Sequence, residues 1–155
     1  MNYMKILSIL ISLILTINNL EAQSFIGRWQ ENSQEVSSGY LNNYQFLDDS
    51  TFLFNTSEYF GLKRIVSLGG KYKYDKNKKS LLLTVQFINE IVGGHIERSK
   101  ESGSASDSWI IEGGIVKKNL LIKPVKASIN IEFLEHNMDG KELILLDKIK
   151  YYKVE

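Results

Sequence analysis

Hydrophobic and polar residues alternate along the chain from Tyr40 onward, with the period of two that is typical of β-strands with one buried face. Tyr44 and Phe46 share one face of a first segment, and Phe52 and Phe54 share one face of the next. The short run Asp-Asp-Ser between the two segments is typical of a tight polar turn. The pattern therefore predicts a β-hairpin with four aromatic side chains on the same face.

The same alternation predicts further strands downstream. Tyr72 and Tyr74 alternate with lysines, and Ser80–Asn89 places Leu81 and Leu83 on one face of a longer strand. The charged segment between them is predicted to be a turn. Three more strands are predicted near the C-terminus, over Ala127–His136, Glu142–Leu146 and Lys148–Val154.

The middle of the chain is less regular. A short strand is predicted over Ser108–Ile111, a turn at Gly113-Gly114, and another strand over Val116–Lys123. Pro124 is expected to end a paired region or to lie on a sheet edge, because proline lacks the N–H that a central strand needs.

Two segments are predicted as loops with less definite structure. Glu58–Val66 fits a helical turn, a loop across a barrel mouth or a strand end interrupted by Gly61, and the sequence leaves these alternatives open. Ser99–Asp107 has the small and polar composition of a disordered segment.

Roughly nine or ten short strands at such spacings are typical of an all-β sandwich or barrel. Short turns between successive strands favour up-and-down antiparallel order, and closure removes exposed edges. We therefore predict one antiparallel up-and-down β-barrel of about eight to ten strands.

The N-terminus has the pattern of a secretory signal peptide. Lys5 precedes the apolar run Ile6–Ile17, which is shorter than the roughly 20 residues of a spanning helix. A polar stretch follows and ends at Ala22, so cleavage there would leave Gln23 first. We predict a signal peptide at 1–22 and a barrel domain at 23–155, with an uncleaved anchor as the alternative. No stable membrane insertion is expected after cleavage, and the protein is expected to be secreted or periplasmic.

Composition narrows the possible chemistry. The net charge is +1, which does not provide the positive field that nucleic-acid binding requires. The chain has no cysteine and two histidines, His95 and His136, so thiolate and three-histidine metal sites are excluded. The sequence has no Gly-x-Ser-x-Gly motif of a serine hydrolase, and it does not identify two carboxylates that would face each other across a cleft as in glycosidases. We expect no cofactor, no metal site and no catalysis.

The ordered series of motifs resembles small secreted bacterial lipocalin-like domains. The series is Gly27-Arg28-Trp29, the aromatic hairpin of residues 44–54, the Gly-Lys-Tyr strand of residues 70–75, and the leucines of residues 81–83. The resemblance covers about residues 25–85. It implies a barrel of eight to ten strands with an internal pocket, and only loosely a small apolar ligand. Such proteins often have an arginine near the last strand that covers the tryptophan, whereas only Lys148, Lys150 and Lys153 are available here.

Gly27 and Trp29 are therefore expected at the closed floor of the barrel, where a tryptophan buries a large apolar area. Seven residues are expected to line the interior: Tyr44, Phe46, Phe52, Phe54, Tyr72, Tyr74 and Trp109. The first hypothesis is a binding protein for a small apolar or amphipathic ligand. The second is a filled barrel that binds a protein or a glycan through its Glu58–Val66 and Ser99–Asp107 loops. An enzyme on the same barrel ranks third.

Overall fold

The computed structural model describes residues 26–37, 39–99, 109–134, 140 and 142–155. The expected signal peptide and its cleavage site, most of the Ser99–Asp107 loop, and His136 lie outside these residues. The described part consists of eight β-strands without a helix. The strands are β1 (Gly27–Glu31), β2 (Asn43–Phe46), β3 (Thr51–Asn55), β4 (Ile65–Asp75), β5 (Ser80–Arg98), β6 (Trp109–Leu134), β7 (Leu143–Leu146) and β8 (Ile149–Lys153).

The strands form one closed antiparallel barrel in chain order, and β1 pairs with β8 to complete the ring. The predicted all-β class and up-and-down order are confirmed. The aromatic hairpin is also confirmed, since Tyr44 pairs with Phe54 and Phe46 pairs with Phe52. At the turn between β2 and β3, the Asp48 carboxylate accepts a hydrogen bond from the Ser50 N–H at 2.7 Å, as expected for an Asx turn.

The barrel interior is filled by large side chains. The buried cluster contains Trp29, Phe46, Phe52, Tyr72, Leu81, Leu83, Ile131, Ile144, Leu146 and Tyr151. Every one of the eight strands contributes at least one of these residues. Residues that pair across neighbouring strands point to the same face of the sheet. Each apolar pair on the inner face therefore adds to the same core. Burial of this apolar area is the main stabilising contribution to the fold.

Strands β5 and β6 are much longer than the rest and extend past the barrel as a two-stranded ribbon. β4 accompanies β5 as far as Glu90, and beyond that point β5 pairs with β6 alone up to Arg98 opposite Trp109. On its other side β6 pairs with β7 only over Ile131–Leu134. Upstream of Ile131, no other described strand pairs with this side of β6. We call β6 upstream of Ile131, together with the part of β5 beyond Glu90, the ribbon.

Three predictions for this region were wrong. Gly113-Gly114 does not separate two strands, Val116–Lys123 is not a separate strand, and the strand from Ser80 does not stop at Asn89. Continuous pairing with β5 keeps β6 extended through the glycines. Pro124 lies in an irregular segment, where residues 121–124 of β6 stand opposite a single residue of β5. This position agrees with the expected edge location of the proline.

Candidate functional site

Six of the seven residues expected to line the interior point to the same side of the sheet. Phe46, Phe52 and Tyr72 are buried, with at most 6% of their surface exposed. Their rings pack directly on one another, and the Phe46 and Tyr72 centroids are 4.9 Å apart in an edge-to-face contact. Such contacts occupy the volume that a ligand would need.

Trp29 lies in the same core and is 1% exposed. The Lys153 ammonium stands 5.5 Å from the centroid of its ring, so one of the three lysines near the last strand lies over the tryptophan. Lys153 also donates a hydrogen bond to Glu142 at 2.9 Å, which holds the ammonium near the indole. Gly27 is at the start of β1, where a Cβ would come 2.3 Å from the Glu155 carbonyl oxygen. The glycine therefore allows the C-terminal residue to approach β1 closely.

The end of the barrel next to the turn between β7 and β8 is less densely covered. Tyr44 and Tyr151 meet there with ring centroids 5.5 Å apart. Burial, followed by the charge of Asp147, raises the pKa of Tyr44 to about 12. Burial likewise raises the pKa of Tyr151, with the neighbouring Tyr44 as the next cause. Phe54, like Tyr44, is only partly buried against the core, whereas Tyr151 is 5% exposed.

Tyr74 is partly buried against the core, whereas Trp109 lies outside it. Tyr74 contacts Phe133 edge-to-face at 6.1 Å, and it lines an outer cleft of about 450 Å³ together with several lysines. Trp109 is at the tip of the ribbon, where it is 49% exposed and lies 5.0 Å from the Arg98 guanidinium. The sequence grouped Trp109 with the interior aromatics because its alternation does not show which strand neighbours it.

The ribbon carries the most exposed aliphatic side chains in the described residues. Ile122 is fully exposed, Leu120 is 76% exposed and Ile115 is 70% exposed. Val116 and Val125 are also more than half exposed. Because Ile115 and Val116 are consecutive in a strand, they point to opposite faces, and both faces of the ribbon are apolar. Contiguous exposed apolar surface of this kind marks binding sites in soluble proteins.

Glycines bend the ribbon near its tip. Gly93 pairs with Gly114, and Gly93, Gly94 and Gly113 all have φ near +75°. L-amino acids with a side chain rarely adopt this conformation, whereas glycine adopts it readily. The bend brings the tip back to the barrel, where the Ile111 N–H donates a hydrogen bond to the Gly61 carbonyl at 3.0 Å. The glycines thus fix the shape of the ribbon.

The Glu58–Val66 segment forms turns and a connection that supports this bent tip. Gly61 lies so close to the ribbon that a Cβ would come 2.6 Å from an Ile110 methyl carbon. The Lys63 ammonium donates to the Ser57 carbonyl at 2.7 Å, and Arg64 donates to the carbonyls of Ile91 and Gly93 at 3.3 Å each. The loop is therefore part of the ribbon's support, a role that its ambiguous pattern did not indicate.

The described residues contain no group of three or more His, Asp or Glu side chains arranged to hold a metal ion. His95 pairs with Glu97 on the exposed ribbon, at 3.1 Å between Nε2 and the carboxylate. A second outer cleft of about 650 Å³ is lined by Lys78, Lys79 and Lys148 together with Glu132 and Asp147. Both outer clefts are open to solvent and are lined largely by charged side chains.

The sequence analysis missed the ribbon as a unit. Its signals are present in the printed sequence: two glycine pairs, Gly93-Gly94 and Gly113-Gly114, stand 20 residues apart, and apolar residues occupy both parities of residues 115–125. Apolar residues on both faces of a strand ordinarily indicate burial on both sides. Here the same pattern belongs to a strand that no part of the described chain covers.

Within the described residues, no helix is long and apolar enough to cross a membrane. Comparison of the chain with protein-family models, with curated proteins and with solved structures finds no match.

Proposed function

We propose that this protein is an interaction module, in which a filled barrel serves as a rigid base and the ribbon of β5 and β6 binds a macromolecular partner. The observation that carries the proposal is the contrast between the two surfaces. The interior aromatics are packed against one another, whereas Leu120 and Ile122 of the ribbon are almost wholly exposed. An apolar surface outside a filled barrel supports recognition of a large partner over enclosure of a small one.

The chemistry of the ribbon favours a protein partner over a glycan. Its exposed residues are mainly isoleucine, leucine and valine, which pack against other apolar side chains. Trp109 at the tip is the single aromatic residue of β6 upstream of Phe133. Recognition of a sugar needs several polar side chains that fix the orientation of the sugar. Between residues 115 and 125 the polar residues are three lysines and Asn119, so few such groups are present.

The test is affinity capture from an extract of the source, with purified candidate partners then measured directly. In the ribbon variant Leu120→Asn/Ile122→Asn we expect loss of the captured partner with unchanged thermal unfolding of the barrel. The matched control is Leu47→Asn/Leu82→Asn, which changes two leucines that are exposed on the barrel, at 53% and 41%. Equal capture by both double variants would overturn the proposal.

A small amphipathic ligand is the second candidate function, and the partly buried aromatics Tyr44 and Phe54 beside the core favour it. Two phenols beside partly buried Phe54 provide hydrogen-bond donors next to apolar surface. Trp109→Phe leaves Trp29 as the sole tryptophan, inside the barrel, and Trp29→Phe leaves Trp109 on the ribbon. Saturable fatty-acid binding that changes Trp29 fluorescence would support this candidate, whereas a response confined to Trp109 would support the ribbon.

We also propose that the protein works outside the cytoplasm, in the periplasm or beyond the cell, because of the leader pattern that ends at Ala22. N-terminal sequencing of the protein purified from its natural compartment tests this. A first residue of Gln23 is the expected result, and an intact Met1 in a membrane fraction would overturn it.

A further inference from the structure

The long free edge of β6 is the strongest feature that the barrel itself does not use. Between the contact of Ile111 with Gly61 and the contact of Asn130 with Asp147, no described strand pairs with this side of β6. A strand edge without a neighbour presents a row of N–H and C=O groups that a further strand can occupy.

Below Gly113, whose φ of +74° interrupts the alternation that would link Ile111 to the rest of β6, hydrogen bonds at two points identify which backbone groups face the free side. The Ile91 N–H donates to the Arg64 carbonyl on the β4 side, so its partner Val116 does not bond to β5 at that rung. In an antiparallel pair, the N–H and C=O of such a residue point away from the partner strand. By alternation, Lys118 points the same way. Lower down, the Asn130 N–H donates to Asp147, so Ser128 and Lys126 also face the free side.

The side chains along this edge carry one sign of charge. Lys117, Lys118, Lys123 and Lys126 lie among the exposed aliphatic residues, and no Asp or Glu occurs between Gly113 and Ile131. Glu90 on β5 is the nearest acidic residue across the ribbon, and it accepts a hydrogen bond from Asn119 at 2.6 Å. The edge is therefore both apolar and positively charged.

From the edge and its charge we infer that β6 binds an extended acidic and apolar segment of another protein, which adds to the sheet as a strand. This inference rests on the proposed function and names its partner class. Carboxylates of the added strand would face the lysines, and its apolar side chains would cover Leu120 and Val125. Its main chain would pair with the free N–H and C=O groups of Val116, Lys118, Lys126 and Ser128.

Two other occupants fit the edge less well. A second copy of this chain would bring four lysines from each edge onto one seam, and like charges across strands are destabilising. An anionic membrane would attract the lysines and cover the aliphatic side chains. It would leave the free backbone groups without hydrogen-bond partners in hydrocarbon, which is costly for every group. Only an added strand satisfies the backbone, the lysines and the apolar surface together.

The experiment measures amide hydrogen exchange of the full chain with and without a synthetic peptide of about twelve residues in which valine and glutamate alternate. On binding, we expect at least a tenfold slowing of exchange at Val116, Lys118, Lys126 and Ser128. The amides of Lys117 and Asn119, which point to β5, should keep their rates. A peptide of equal charge with two adjacent central prolines lacks a ladder donor in either register and should bind at least tenfold more weakly.

Charge variants give a second readout. Lys118→Glu/Lys126→Glu should weaken binding of the acidic peptide at least tenfold and should allow a valine–lysine peptide to bind instead. Lys76→Glu, in the exposed turn between β4 and β5, is the matched control and should leave both affinities unchanged. The exchange measurement remains decisive if the double variant does not fold.

Several outcomes would overturn the inference. These are no binding of the acidic peptide at millimolar concentration, equal binding of the proline peptide, and binding without protection of the four amides. Protection of the same amides by self-association in sedimentation, or by anionic phosphatidylglycerol vesicles in place of the peptide, would assign the edge to a second copy or to a membrane. If ribbon-dependent capture persists while the peptide fails, the inference alone is wrong. If capture does not depend on the ribbon, the proposed function is wrong as well.

Discussion

A matched pair of leucine substitutions tests whether the barrel is filled. Leu81 and Leu82 are consecutive residues of β5, so their side chains point to opposite faces of the sheet. Leu81 is completely buried in the core, whereas Leu82 is 41% exposed on the outside. The two truncations remove the same atoms from the same strand, and any difference between them comes from packing alone.

The magnitude follows from the two environments. Leu81→Ala removes three buried carbon atoms, worth about 0.8 kcal/mol each in transfer, and leaves a cavity that costs further stability. We expect a loss of about 3–4 kcal/mol in the free energy of unfolding, or on the order of 10 °C in Tm. Leu82→Ala leaves no internal cavity and loses only part of the transfer term, so about 1 kcal/mol is expected.

The assay is urea unfolding at equilibrium, followed by Trp29 fluorescence in a Trp109→Phe background so that only the barrel is observed. Unchanged m-values would show that the two variants unfold from equally compact states. Equal losses of about 1 kcal/mol for both variants would refute the packed interior. That result would return the protein to the hypothesis of a hollow barrel with a small apolar ligand.

Four further predictions concern other parts of the structure. Gly70→Ala would place a Cβ 2.0 Å from a β5 carbonyl oxygen and should lower barrel stability by about 3 kcal/mol. Gly113→Ala meets no neighbour at φ +74° and should cost about 1 kcal/mol, visible as faster exchange of ribbon amides with unchanged barrel Tm. The pKa of Tyr44 and that of Tyr72 are each raised to about 12 by burial, so the unfolded chain loses its phenolic protons first as the pH rises. The stability present below pH 10 should therefore fall between about pH 10 and 12, and ultraviolet titration that shows all tyrosines ionising near pH 10 in the folded protein would contradict this. Gln30→Leu should cost about 1–3 kcal/mol because the buried amide bonds two carbonyls and one N–H of the loop between β1 and β2, and unchanged unfolding would show that water replaces those bonds.

The two surfaces of this protein have different physical roles. The core aromatics contact one another and stabilise the closed ring, whereas the ribbon exposes aliphatic residues at a cost that folding alone does not repay. Neighbouring lysines and Pro124 reduce the tendency of such an edge to pair with copies of itself. An exposed edge with these restraints is suited to one class of partner, a strand with the opposite charge.

The sequence by itself determined the strand class, the aromatic hairpin and its inward face. These features depend on contacts between neighbours in the chain, such as the turn at Asp48 and the alternation of Phe52 with Phe54. A two-residue period places side chains on one face regardless of what lies beyond the strand. Local chemistry therefore predicted that part of the fold.

Only the tertiary structure decided what covers each face. Trp109 and Phe52 lie in similar alternating segments, yet Phe52 is buried by the closed ring and Trp109 remains half exposed on the ribbon. The difference arises because β7 pairs with β6 at Ile131–Leu134, which leaves the side of upper β6 that faces away from β5 without a described strand. The alternation of apolar and polar residues within a strand does not show which distant strand pairs with it. The ribbon, its glycine bend and its free edge could therefore not be predicted from that alternation alone.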